Sequence, residues 1–403
     1  MSHKRLLIIG GAEALISLLD RANRLGISTV VVQKRELVKD ELFQMAERVI
    51  VLDYENDPLL EPIAQAIHRT HPVDRVISLT EYGLMPAAKL SVALGLPAVP
   101  PEVVEKTRDK HAMRRALAAA GFDTVKAELG RTVEDLLRFR EKVGSSRFII
   151  KPRDGVGSQL VYCVEEKTNL AETVAMFNGD FLMEEFLEGR ELSLESYSFN
   201  GKHFVFGINE ETKYFENSAN PYVEIAHEMP ALLSEQEKAE VVKYLGSFLD
   251  CIGISDGPAH TELKLTPQGP RLIETHNRLG GDWLPILVRL SCGFDLYECA
   301  VGWPTRVIEP PVQAPTPFGG AAIRYFTPPP GVVKKVSGVE YARLEPGVVT
   351  LNLPLRPGSV VRTVQKSLDR SGYVIATAAT AKEAAKICQR VVDMVRIEMQ
   401  QKA

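Results

Sequence analysis

Ile273-Glu274-Thr275-His276-Asn277-Arg278-Leu279-Gly280-Gly281-Asp282 sets a carboxylate, a guanidinium and a glycine pair at the end of an apolar strand. Gly280-Gly281 reads as the turn that ends the strand, with a helix following Trp283. Upstream, Ala259-His260-Thr261-Glu262-Leu263-Lys264 has the same strand character, so strands over Pro258 to Thr266 and Pro270 to Thr275 bring Glu262 and Glu274 together. Two inward carboxylates on adjacent strands suit magnesium, because a hard divalent cation binds through one or two carboxylates and substrate phosphates. For either glutamate alone, a half-exposed strand edge is the alternative. Arg278, four residues after Glu274, would supply fixed positive charge where oxyanions develop. Taken singly it is equally an ordinary surface arginine.

Further upstream, Met183-Glu184-Glu185-Phe186-Leu187-Glu188-Gly189-Arg190-Glu191-Leu192-Ser193 ends a strand in paired carboxylates and an apolar hinge. Main-chain groups near Glu185 and Leu187 can offer a donor and an acceptor to a purine, and Glu191 can accept from ribose hydroxyls. Read alone, the run is a solvated turn. Some 30 residues earlier, Ile149-Ile150-Lys151-Pro152-Arg153-Asp154-Gly155-Val156-Gly157-Ser158 brings a strand-end lysine to a glycine loop whose N–H groups can fold over phosphates. A plain hairpin is the other reading. Lys110, Met113 and Leu117 share one face of a helix that Gly121 can cap.

Toward the N-terminus, apolar runs at Leu6 to Ile9, Ser28 to Val32, Arg48 to Leu52 and Arg75 to Leu79 alternate with amphipathic stretches, the rhythm of a parallel sheet wrapped by helices. The turn Gly10-Gly11-Ala12-Glu13 lacks the three spaced glycines of a dinucleotide fingerprint. Pro97, Pro100 and Pro101 close this unit near residue 100. Between Glu210 and Ala231 lies a polar and aromatic segment that reads as a long functional loop, a lid over substrate together with the 154–158 loop. The tail reads as a strand over Gly372 to Ala376 and an amphipathic helix from about 380 to 400.

At 403 residues the chain has room for about two to four domains. Its 45% hydrophobic and 25% charged content fits an ordinary α/β protein with a large core. A net charge of −4 with both signs interspersed excludes an obvious nucleic-acid track, and no apolar stretch is long enough for a membrane span. Cys163, Cys251, Cys292, Cys299 and Cys388 are odd in number and form no metal spacing, which suits free thiols and a cytoplasmic location.

The ordered set of Lys110, Lys151 with its glycine loop, the Glu184 to Glu191 hinge, Glu262 and Glu274 to Gly281 resembles the ATP-grasp superfamily. The resemblance implies an α/β (α+β) chain of three lobes with an N-terminal Rossmann-like preATP-grasp domain. It divides as residues 1–100 for that domain, 101–121 for a connecting helix, 122–192 for a small ATP-binding subdomain and 193–403 for a large domain with the metal site and a C-terminal subdomain. It further implies ATP and Mg²⁺ (or Mn²⁺). Nucleotide contacts fall to Lys110, Lys151, Gly155, Gly157, Ser158, Glu184, Glu185, Leu187 and Glu191, and metal ligation to Glu262 and Glu274. Such enzymes activate a carboxylate as an acylphosphate that an amine attacks.

A narrower resemblance, to L-amino-acid ligases that make dipeptides, rests on Ser78-Leu79-Thr80-Glu81-Tyr82-Gly83, on Tyr222-Val223-Glu224-Ile225-Ala226-His227-Glu228-Met229-Pro230 and on His260-Thr261-Glu262. It implies that Glu81 and Glu224 hold the substrate ammonium and that His227 lies at the reacting group. Arg278 would steady the tetrahedral intermediate, and Gly281 would border the substrate. Trp283 and Pro285 then belong either to a second-substrate pocket or to the core. One departure stands out: His276 occupies the position where many ATP-grasp enzymes carry an Asn, so the second metal ligand is either His276 or Asn277. Amino-acid substrates and a homodimer are the partners this resemblance implies.

Overall fold

The computed structural model describes residues 4–11, 14–122, 125–216 and 220–400, so Ala12 and Glu13 of the first glycine turn lie outside the described residues. Four short strands, β1 (Arg5–Ile9), β2 (Ser28–Gln33), β3 (Arg48–Val51) and β4 (Arg75–Ile77), form a parallel sheet in the order β3-β2-β1-β4. Every residue of β1 is buried, as a parallel strand covered on both faces requires. Helix Ala14–Arg24 turns Leu15, Leu18, Leu19 and Ala22 inward. It packs on helix Leu296–Gly302, where Arg21 meets Asp295 at 3.0 Å. The N-terminal lobe is thereby fixed to the C-terminal half.

Helix Lys110–Ala119 begins at Asp109, whose carboxylate accepts from the N–H groups of His111 (2.9 Å) and Ala112 (3.1 Å). Its Met113 and Leu117 enter one core with Val241, Leu245, Phe248 and Ile252 of helix Glu235–Ile252. The single connecting helix expected over 101–121 is thus two, Pro101–Arg108 and Lys110–Ala119, meeting at Asp109; the second is packed on the large lobe, with Lys110 at the end nearest the glycine loop. A small antiparallel sheet follows, of β5 (Ala127–Gly130), β6 (Phe148–Pro152), β7 (Tyr162–Val164) and β8 (Phe181–Glu185), in the order β5-β8-β6-β7.

The large lobe is built on β9 (Arg190–Phe199), β10 (Lys202–Lys213), β11 (Glu224–Met229), β12 (Gly257–Thr266), β13 (Gly269–His276) and β14 (Gly320–Tyr325). After β15 (Gly331–Ser337) come β16 (Val348–Asn352), β17 (Val360–Val361), β18 (Tyr373–Ala378) and β19 (Arg396–Met399). The eight-stranded antiparallel sheet runs β13-β12-β9-β10-β11-β14-β18-β16, and β17-β15-β19 form a small separate sheet. Strand alternation sends Leu192 and Leu194 into the core and turns Ser193 and Glu195 to a buried polar side.

Two further sequence expectations are corrected here. The segment from Glu210 to Ala231 is not one long loop: strand occupies both its ends, because β10 runs to Lys213 and pairs antiparallel with β11, which starts at Glu224. Glu211, Lys213 and Glu224 are polar because these strands border a cavity, and that polarity mimics a loop in sequence. The terminal helix spans Ala381–Met394 and stops at Val395, with β19 occupying Arg396–Met399. Among the described residues, no helix is long and apolar enough to cross a membrane.

Gly320 opens β14 where helix Ala381–Met394 starts, and a Cβ there would sit 2.0 Å from the Ala381 nitrogen. Gly320→Ala is expected to lower unfolding stability by about 3 kcal/mol, because rigid backbone must yield. Urea denaturation against the parent protein checks this.

Candidate active site

A cavity of about 1340 Å³ opens where the three lobes meet, lined by the glycine loop, the ends of β6, β8 and β10 to β13, and segment 352–373. Lys151, at the end of β6, sits 2.6 Å from Glu184, which also takes the Arg114 guanidinium at 2.7 Å. Burial opposes ionisation of Glu184, but Arg114 and Lys151 outweigh it and hold its pKa at about 2. Glu184 is thus the counter-ion that positions Lys151, and its role toward nucleotide is indirect. Lys110 is buried and bridges the loop and the hairpin, donating to Gly155 O at 3.1 Å and meeting Glu274 at 3.0 Å.

The glycine loop is folded down over the cavity. Gly155 and Gly157 have φ of +107° and +72°, where a side chain would be strained. Ser158, at +56°, is held there by its hydroxyl donating to Glu224 at 2.8 Å. Beyond the loop, the Glu185 N–H is spent on Lys126 O (3.0 Å), so its main chain has only the carbonyl to offer. Leu187 has no backbone partner among the described residues, which leaves its N–H available. Glu191 lies between Lys213 (2.7 Å) and Lys264 (2.6 Å).

Register places Glu262 opposite Glu274 and His260 opposite His276 across β12 and β13. His260 bonds Glu195 through Nδ1 (2.6 Å) and Glu262 through Nε2 (3.3 Å). His276 bonds Glu81 through Nδ1 (2.8 Å) and Glu274 through Nε2 (3.0 Å). Each metal-type carboxylate therefore has a histidine behind it and a buried carboxylate behind that, the arrangement that orients ligands. Burial disfavours an imidazolium at His260, yet Glu195 and Glu262 raise its pKa to about 10. Gly280 must be glycine for this relay, since a Cβ would lie 2.3 Å from Glu195 Oε1, whereas one on Gly281 would meet open space.

Glu191, Glu211 and Glu262 offer oxygens within 4.8 Å of one another. With Glu274 across the hairpin, this all-oxygen donor set fits a hard divalent cation. His276 offers no free atom, since both its nitrogens face carboxylates, and Asn277 does not line the cavity, its Nδ2 donating to Pro258 O at 3.0 Å. Glu211 is the donor that sequence reading missed. Burial among the neighbouring carboxylates raises its pKa to about 7.

The substrate residues divide. Glu81 is enclosed by His276 and by Arg278 (3.2 Å), and these partners hold its pKa at about 2, against burial. A further ammonium would be poorly placed there, so Glu81 instead fixes Arg278 and His276. Glu224 faces the cavity with Lys213, Ser158 and Ser367 around it. His227 is buried between Asn209 (3.0 Å) and Asp282 (3.0 Å). Because an ionised carboxylate only accepts, His227 Nε2 carries a proton toward Asp282. Asp282 and its partner Arg370 carried no sequence signal, being 88 residues apart.

Comparison with known proteins adds to this geometry. Three family models match: the ATP-grasp N-terminal domain over residues 19–98, the ATP-grasp domain over 145–285 and the L-amino acid ligase C-terminal domain 2 over 324–400. The chain belongs to the ATP-grasp superfamily and is an ATP-grasp ligase, which uses ATP with Mg²⁺ or Mn²⁺. Its C-terminal part, residues 324–400, is what matches the L-amino acid ligase model. The crystal structure of L-amino acid ligase from Bacillus licheniformis superposes with a TM-score of 0.84 at 24% identity, over 99% of both chains, which establishes the fold. The uncharacterized protein y4rH of Sinorhizobium fredii is 25% identical over 94% of this chain and 79% of its own length. Alanine–anticapsin ligase of Bacillus subtilis is 27% identical over 52% of this chain, which spans about half, 49%, of that relative.

Glu184→Gln takes from buried Lys151 its carboxylate and from Arg114 one of its partners, a loss of about 3–5 kcal/mol in denaturant unfolding. The Glu184 pKa falls from 4.5 to about 2 on folding, so its contribution is whole above pH 4.5 and disappears as pH drops through 2. The stability gap between parent and variant should close over that window.

Proposed function

We propose that this chain activates the carboxylate of one amino acid as an acylphosphate and joins it to an amine, that of a second L-amino acid, giving a dipeptide or amide with ADP and phosphate. The observation that carries this reading is one cavity bordered by the glycine loop with its two lysines, the facing Glu262 and Glu274, and the Arg278, Glu224 and His227 wall. Lys110 and Lys151 would neutralise phosphate oxygens, and Arg278, aligned by Glu81, would face the charge developing on the acyl carbon's oxygens. Glu262 and Glu274 would hold a divalent cation, which would supply further charge neutralisation for the phosphates. Glu224 would take the ammonium of the acyl donor, exchanging its serine bonds for it. The chemistry then rests on positioning and charge.

The relative named alanine–anticapsin ligase favours a second reading, in which one partner is a non-proteinogenic or carrier-bound substrate. A non-catalytic ATP-binding regulator would not need the complete set of lysines, carboxylates and Arg278. The five unpaired cysteines agree with a reducing, cytoplasmic setting, and assembly as a homodimer belongs to the same proposal.

Amino-acid-dependent phosphate release should appear with ATP and Mg²⁺ across single and paired L-amino acids, with a new product mass by mass spectrometry. Glu274→Ala should abolish it. Release by the parent no greater than by that variant would overturn the ligase reading.

A further inference from the structure

Asp282 and Trp283 follow the Gly280-Gly281 turn with φ of +52° and +61°, two consecutive side-chain-bearing residues in left-handed backbone. Such backbone persists only where its surroundings over-determine it. Here Arg370 grips the Asp282 carboxylate through both oxygens, NH1 to Oδ2 at 2.6 Å and NH2 to Oδ1 at 2.5 Å. His227 Nε2 donates to Oδ2 as well, at 3.0 Å. Arg370 is itself immobilised: Nε donates to Ser367 O at 2.6 Å, NH1 to Glu224 O at 2.8 Å, and its guanidinium lies 3.5 Å from the Tyr325 ring centroid.

Of the four lone-pair sites on a carboxylate, these donors fill two on Oδ2 and one on Oδ1. The fourth belongs to a side chain that lines the cavity and is 23% exposed. A carboxylate held ionised by a guanidinium and an imidazole N–H is an acceptor, not a base, and the ligand that suits it is an ammonium or amine N–H.

A second feature of the same cavity is independent of this one. Of the lysine and arginine side chains that line it, all have a carboxylate within 4.0 Å except Arg362 and Lys366, which have none among the described residues. Arg362 is exposed and Lys366 half-buried, four residues before Arg370. Every other lysine or arginine lining the cavity has a carboxylate partner within the protein, so these two are the ones left to meet an anion from outside.

Resting on the ligase reading above, we propose that Asp282 receives the amine of the second substrate and that Arg362 and Lys366 receive a carboxylate on it. The acceptor is then an α-amino acid or another carboxylate-bearing amine, not a simple amine. The role is binding: Asp282 fixes the nitrogen near the activated carbonyl, and Arg370 and His227 position Asp282.

Two readouts separate this proposal from the reading it rests on. Hydroxylamine traps the acylphosphate as a hydroxamate with only ATP and the acyl donor present, and product formation is followed against amine concentration. For Asp282→Asn, hydroxamate should stay within about threefold of the parent while KM for the amino-acid acceptor rises roughly 10- to 100-fold, the worth of one charge-assisted bond. An unchanged acceptor KM, or hydroxamate lost along with ligation, overturns the assignment of Asp282. The double variant Arg362→Gln, Lys366→Gln changes residues outside the packed core. It should raise KM for an α-amino acid acceptor and leave that for the matching α-amino amide unaltered; equal shifts, or none, overturn the carboxylate contact. No hydroxamate from the parent with any L-amino acid overturns the ligase reading instead.

Discussion

An ammonium group cannot be left unpaired in a closed protein interior, and the cavity is shaped by that constraint. Removing water from one cation costs several kcal/mol, which only a close carboxylate and further hydrogen bonds offset. Lys110, Lys151 and Lys213 are all buried, and each has at least one carboxylate within 3.0 Å. The pairing is not uniform in meaning. Glu184 is enclosed with Arg114 as well as Lys151 and stays where it is, so Lys151 is a fixed charge. Glu274 holds Lys110 at the cavity edge, so a phosphate chain could replace it there and leave its oxygens for other work. One lysine is set permanently, and the other is exchangeable.

The hairpin of β12 and β13 extends the same logic to the acidic side. Because His260 and His276 are register partners, as are Glu262 and Glu274, two carboxylate-histidine-carboxylate chains run side by side, with the rings 6.2 Å apart and 18° from parallel. The repeat follows from strand geometry: residues two apart share a face, so each histidine reaches the glutamate two positions along its own strand. The distal carboxylates come from elsewhere, Glu195 from β9 and Glu81 from the helix Glu81–Ala93 of the N-terminal lobe. His276 therefore ties that lobe to the hairpin, a function that needs both ring nitrogens and which an Asn side chain, shorter and with one donor end, would perform differently.

Much of this was legible in the sequence, and what was not has a common cause. Lys151 with its glycine loop, the Glu184 to Glu191 hinge and the Glu262/Glu274 hairpin are local patterns, each a strand end meeting a turn, and local patterns survive in one dimension. Glu195, Asp282 and Arg370 are single residues whose meaning depends on contacts 65 to 88 positions away. The Glu210 to Ala231 segment misled for a different reason. A strand whose inward face borders a polar cavity loses the apolar alternation by which strands are read, so β10 and β11 look like a loop. The choice between His276 and Asn277 was likewise undecidable from spacing, because it turns on the distant partners each meets, Glu81 for His276 and Pro258 O for Asn277.

Glu224 shows why the C-terminal part of the chain belongs to the site. Its Oε1 takes Ser158 of the glycine loop and Lys213, its Oε2 takes Ser367, and its main-chain oxygen takes Arg370. Asn220 adds a second tie, donating to Ser158 O at 2.7 Å and to Gln365 O at 2.9 Å, while the Ser367 N–H reaches Gly157 O at 3.2 Å. The loop that would cover phosphates is thus latched to segment 365–370, the segment that also holds Asp282. A motion that opens the glycine loop must break the Ser158 bond to Glu224, and with it loosen the residue that buttresses Arg370. One carboxylate residue therefore joins the glycine loop to the segment that holds Asp282, which is why the C-terminal part of the chain is built into this cavity.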